Sequence, residues 1–141
     1  MKTLLLQLAA VAAALAVAAC GKPGVASLRD SFTQQLGSNH FIKDFQANGD
    51  DLTFSGPGAE GGVAKWRVHI DSATIATNAD QASHPQTQPY KGVVRSSWYS
   101  DGKLVRPSGR DSNLPVELMA NGLTQDCWAY WDKAKNRWSW E

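Results

Sequence analysis

Trp66-Arg67-Val68-His69-Ile70-Asp71 alternates apolar and polar side chains without a break. That two-residue period is the pattern of a strand with one buried and one solvated face. Trp66, Val68 and Ile70 then belong to a core, and Arg67, His69 and Asp71 to solvent. Antiparallel sheets are the ones that keep one face wet, so hairpins are expected on either side. Upstream, Asn48-Gly49 is a two-residue hairpin signal. It pairs Phe45 with Leu52 and Lys43 with Phe54, gathering Phe45, Leu52 and Phe54 on one face. Downstream, Asp101-Gly102 pairs Tyr99 with Leu104 and Trp98 with Val105. A third hairpin turns through Lys133-Ala134-Lys135-Asn136, setting Asp132 opposite Arg137 and Trp131 opposite Trp138.

One helix precedes the strands. Leu28, Phe32 and Leu36 recur every four residues, Ser27 suits the N-cap with Asp30 three residues on, and Gly37 suits a left-handed stop. The apolar stripe is narrow, as for a helix that lays one face on a sheet. Three irregular connections remain: Gly56 to Gly62, the polar and mobile stretch Asn78 to Pro89, and Pro107 to Pro115. No internal repeat is present. The expected fold is α+β, one N-terminal helix packed on a curved antiparallel sheet of successive hairpins, in a cystatin-like or small-barrel arrangement.

The chain begins differently. Lys2 gives a positive start, Leu4 to Val17 is an apolar run broken by Gln7, and Val17-Ala18-Ala19 is a small-residue cleavage site followed by Cys20-Gly21. This is the order of a secretory signal peptide, too short for a stable membrane span. Val17-Ala18-Ala19-Cys20 resembles the lipobox of bacterial lipoproteins, over about a seventh of the chain. The resemblance implies removal of residues 1–19, a diacylglyceryl thioether on Cys20 and an acylated (palmitate-type) amino terminus. It implies a partner in the lipid bilayer and a place in the cell envelope facing the periplasm. Gly21, in place of a retaining Asp, favours the outer membrane in a host that has one. The same residues also satisfy an ordinary A-x-A-like site, which leaves a soluble product and lets Cys20 pair with Cys127. Residues 20–26 read as a lipidated tether reaching at most about 20 Å, and residues 27–141 as a single domain.

Charge and motifs exclude more than they assign. Without Lys2, thirteen Lys and Arg balance thirteen Asp and Glu, so the footprint of a nucleic-acid binder is missing. Arg95, Arg106 and Arg110 make at most a local basic patch. Asp126-Cys127 invites comparison with the Asp-Cys-Ser-Gly context of peptidoglycan cysteine peptidases. No histidine follows Cys127, and His40, His69 and His84 all precede it, so the base that makes the thiolate is not where those enzymes keep it. The three histidines lack chelating spacing, so no metal and no cofactor is expected. The glycine run Gly56–Gly62 lacks the Lys-Ser/Thr of a phosphate loop. Asp44, Asp71 and Asp126 are the carboxylates available for glycan hydrolysis.

The aromatic residues are more distinctive. Of six tryptophans, Trp128, Trp131, Trp138 and Trp140 fall in the last fourteen residues. Hairpin register puts Cys127, Ala129, Trp131, Trp138 and Trp140 on one face and Trp128, Tyr130, Asp132, Arg137 and Ser139 on the other. Tryptophan stacks on sugars and anchors interfaces, which makes Trp128, Tyr130, Arg137, Trp138 and Trp140 the candidate binding surface. The expected role is a non-enzymatic binding or accessory module for an envelope protein or peptidoglycan. The alternatives are an inhibitor or immunity protein against an envelope-directed hydrolase, and a glycan hydrolase using paired aspartates.

Overall fold

The computed structural model describes residues 21–107 and 113–141. Helix α1 (Val25–Gly37) is followed by β1 (Lys43–Asn48), β2 (Asp51–Pro57), β3 (Val63–Thr77), β4 (Tyr90–Ser100), β5 (Lys103–Val105), β6 (Asp126–Asp132) and β7 (Arg137–Trp140). The strands form one antiparallel sheet in the order β1-β2-β3-β4-β6-β7, with β5 on the same edge of β4 as β6 but further along. The α+β expectation holds: a single helix fills the concave side of a curled, half-barrel sheet. No described helix is long and apolar enough to cross a membrane.

The alternation at Trp66–Ile70 is the inner face of β3, where Ala64, Trp66, Val68 and Ile70 are all buried. β3 continues well past it. Ile70 faces Ser96 and Ser72 faces Arg95, leaving Asp71 as an extra residue in a bulge. The bulge shifts the inward phase to Ala73 and Ile75, and such a bulge sharpens local twist, which helps the sheet curl. A second bulge lies in β1, where Asp44 takes a φ of 55°. The second and third hairpins have the expected register, Trp98 with Val105 and Trp131 with Trp138.

The first hairpin is displaced. Asn48 pairs with Asp51, so the loop is Gly49-Asp50 rather than Asn48-Gly49, and Leu52 faces Ala47. Gly49, at a φ of 61°, sits at the first loop position, where a II′-type turn places glycine. Phe45 still reaches the core, because the bulge restores its inward direction.

Helix α1 also begins earlier than expected. Gly24 is its N-cap, without a side-chain cap, and the helix ends in Ser38 at right-handed angles rather than in a left-handed Gly37. Gly37 instead leaves room for the Phe45 ring, which a Cβ there would meet at 3.0 Å. Ser27 is inside the helix and accepts the Trp138 indole N–H at 3.0 Å, while Ser31 accepts that of Trp140 at 3.0 Å. The match is geometric. Four helical residues rise about 6 Å and two strand residues about 7 Å, so one helical turn spans two strand positions on β7. Gly92 on β4 marks the tightest approach, since a Cβ there would lie 2.7 Å from Leu28.

Leu28, Phe32 and Leu36 meet a core containing Phe54, Trp66 and Trp98, whose rings pack 6.0 to 6.3 Å apart. The buried indoles are satisfied: Trp66 donates to the Pro57 carbonyl and Trp98 to Ser96 Oγ. The end of the half-barrel is plugged by Leu114, Leu118 and Leu123 from the connection into β6. That connection is tied to the helix by reciprocal bonds between the Gln35 and Asn121 side chains and backbone carbonyls. The Asn78–Pro89 stretch, expected to be mobile, has its own frame. Buried Asn78 donates to Ser83 Oγ and to the Gln88 carbonyl, and Asp80 caps a short 3-10 turn.

Candidate functional site

Local register decides which side chains meet on the convex face. Gln46 pairs with Thr53, Thr53 with Arg67, Arg67 with Tyr99 and Tyr99 with Leu104. One continuous row therefore crosses five strands. Beside it Ser55 pairs with Lys65, and Asp101 of the β4–β5 turn accepts the Lys65 backbone N–H at 2.9 Å. Gln46, Thr53, Lys65, Arg67, Tyr99 and Asp44 line an open cleft of about 620 Å³, a size within the range of small-ligand sites.

Arg67 is the organiser. Its guanidinium lies 4.0 Å from the Tyr99 ring centroid, and its Nη1 donates to Asp51 Oδ1 at 3.1 Å. His69 Nδ1 also stands 3.1 Å from that oxygen. These bonds, His69's first and Arg67's second, hold the Asp51 carboxyl below its ordinary 3.8. The stack and the ion pair fix a side chain that is otherwise rotamer-rich, and they leave Asp51 neutralised. What remains to meet a ligand is a guanidinium–phenol pair flanked by an amide, two hydroxyls, the Lys65 ammonium and the Asp44 carboxylate.

The terminal hairpin is arranged differently from the expected surface. Trp138 is 6% exposed and Trp131 packs edge-on to it with centroids 5.3 Å apart. Trp140 packs edge-on to Phe32. Arg137, Trp138 and Trp140 line a shallow recess against Gln34 and Ser31, yet both indole N–H groups are already bonded to α1. Tyr130 is 2% exposed, covered by the Asn78–Pro89 stretch, and its hydroxyl donates to Asp80. Both Tyr130 and Trp138 are thus corrected from surface to interior. Arg137 stays exposed and Trp140 half-buried, and Trp128 is 41% exposed, with its indole N–H on Glu141 and the Lys91 ammonium 4.9 Å from its ring.

The other candidates separate. Asp71 accepts the Ser97 hydroxyl at 2.6 Å, and Asp126 faces Arg95 across the strands. Asp44 belongs to the Ser55–Lys65 end of the sheet, roughly 17 Å along β3 from Asp71 at the usual strand rise. Cys127 is buried with its thiol toward the Val94 carbonyl, and burial pushes it up to about 12. Among the described residues no three His, Cys, Asp or Glu side chains gather as metal ligands. Cys20 and Arg110 lie outside the described residues. Arg67 and Tyr99 were not singled out from sequence. Alternation placed Arg67 on the wet face and the second hairpin placed Tyr99, but only the long-range β3–β4 register brings them together. Comparison with known protein families, curated proteins and solved structures returned no match.

Proposed function

We propose that the protein is a non-enzymatic binding module of the cell envelope, anchored in the bilayer through acylated Cys20, that holds cell-wall glycan in the Arg67–Tyr99 cleft. The observation that carries this reading is the five-strand row from Gln46 to Leu104 with Arg67 clamped over Tyr99. Wall glycan is rich in hydroxyl and amide groups. Gln46, Thr53 and Ser55 supply neutral partners for these, Tyr99 supplies apolar contact, and Lys65 and Arg67 suit the carboxylates of the attached peptides. Because Arg67 is held before any ligand arrives, little side-chain entropy is lost on binding.

Two measurements test the reading. The intact mass of protein extracted from membranes is expected to lack residues 1–19 and to carry acyl chains on Cys20; an unmodified Cys20, or a Cys20–Cys127 bridge, contradicts the anchor. Affinity purification from solubilised envelopes is expected to return wall fragments. Recovery of a stoichiometric hydrolase that the protein inhibits supports the inhibitor alternative instead. Release of soluble muropeptides, lost in Asp71→Asn, identifies an enzyme.

A further inference from the structure

Gly21, the first described residue, lies at one end of the sheet, in a recess of about 540 Å³ that also takes in Lys22, Tyr90, Trp131, Lys133 and Asn136. Lys22 is exposed and its ammonium lies 5.7 Å from the Tyr90 ring centroid. The β6–β7 turn beside it exposes Lys133 and Lys135, with Arg137 following. The acid among them, Asp132, is 22% exposed at its side chain and already pairs with Lys135. The turn is braced, because the Lys133 N–H donates to the Thr87 carbonyl at 3.0 Å. Lys22 and Lys133 thus line the recess around Gly21, with Lys135 on the same turn.

We infer that this hairpin tip, with Lys22, docks on the anionic headgroup surface of the bilayer. The inference rests on the anchor reading. Cys20 is covalently joined to Gly21, so an acylated Cys20 brings the recess against the headgroups. Lys and Arg side chains near an anionic leaflet are attracted within a Debye length, and half-buried Trp131 and Tyr90 are the aromatic types that settle at membrane interfaces. Tyr90 and Tyr99 are nine residues apart on β4, about 30 Å along the strand. Docking at one end therefore holds the Arg67–Tyr99 cleft away from the bilayer.

The test uses the lipidated full-length protein in vesicles of phosphatidylcholine with or without one-third phosphatidylglycerol. Ala134→Cys at the tip and Lys103→Cys at the far turn each carry a fluorophore, and a nitroxide on the lipid headgroups quenches it. Quenching at position 134 is expected to exceed that at position 103 by about threefold with the anionic lipid. The excess is expected to fall to near parity in Lys133→Glu/Lys135→Glu, which still floats with the vesicles. Floating protein with equal quenching at both positions, or an excess unchanged by lipid charge and by the charge reversal, overturns the docking alone. Protein that does not float with the vesicles overturns the anchor, and the docking with it.

Discussion

At the scale of single residues, Asp51 and Cys127 are opposite cases of one linkage. The Asp51 pKa is depressed by His69 and then Arg67, so its contribution to stability is present above the unfolded value and lost as pH falls below about 3.8. Acid titration followed by tyrosine fluorescence is expected to show the Arg67–Tyr99 contact relaxing in that range. In Asp51→Asn the acid step disappears, and the contact is weaker at neutral pH. An unchanged acid profile contradicts the clamp. For Cys127 the folded pKa is raised from 9.0 to about 12 by burial. Its stabilising contribution is full below 9.0 and fades as pH rises toward 12, because the unfolded chain ionises first. Iodoacetamide at pH 8 is expected to leave native Cys127 unmodified and to label it in urea; ready labelling of the folded protein contradicts its burial.

At the scale of elements, the joint between α1 and β7 is the most specific feature. A double-mutant cycle of Ser27→Ala and Trp138→Phe, read by urea unfolding, is expected to show a coupling of about 1 kcal/mol, since each single change strands a polar partner. Zero coupling contradicts the Ser27–Trp138 bond. Gly92→Ala is expected to cost about 1–3 kcal/mol by pushing Leu28 out of its seat, and a neutral result contradicts the close approach. These elements also show what was legible beforehand. The Asp101-Gly102 and Lys133–Asn136 hairpins were readable because their register is fixed within a few residues. The first hairpin slipped because Gly49 alone, not the Asn48-Gly49 pair, carries the positive φ at the loop's first position. The helix start was misplaced because Ser27 serves an indole 111 residues away in sequence. Leu114 and Leu118 are four residues apart but Leu123 breaks that period and the segment folds as turns, so the plug of the half-barrel left no regular element to find.

At the scale of the whole molecule, a long β3–β4 pair joins two unlike ends. One gathers Lys22, Lys133 and Lys135 where the chain enters the fold, and the other carries Arg67 on Tyr99. The candidate site was only half legible. Trp128 stayed on the surface as expected, whereas Trp138 and Tyr130 went inside, because apolar area in so small a domain is drawn first to the helix and the covering loop. The cleft replaced them through long-range pairing that no short motif encodes. The most direct measurement is a co-sedimentation isotherm of the full-length protein on purified peptidoglycan sacculi, comparing wild type with Arg67→Ala, Tyr99→Ala and Trp128→Ala. Loss of either cleft residue is expected to weaken binding roughly tenfold, equivalent to about 1.4 kcal/mol, with Trp128→Ala close to wild type. Sacculi that bind all four proteins equally, or none of them, would contradict the cleft as the wall-binding site.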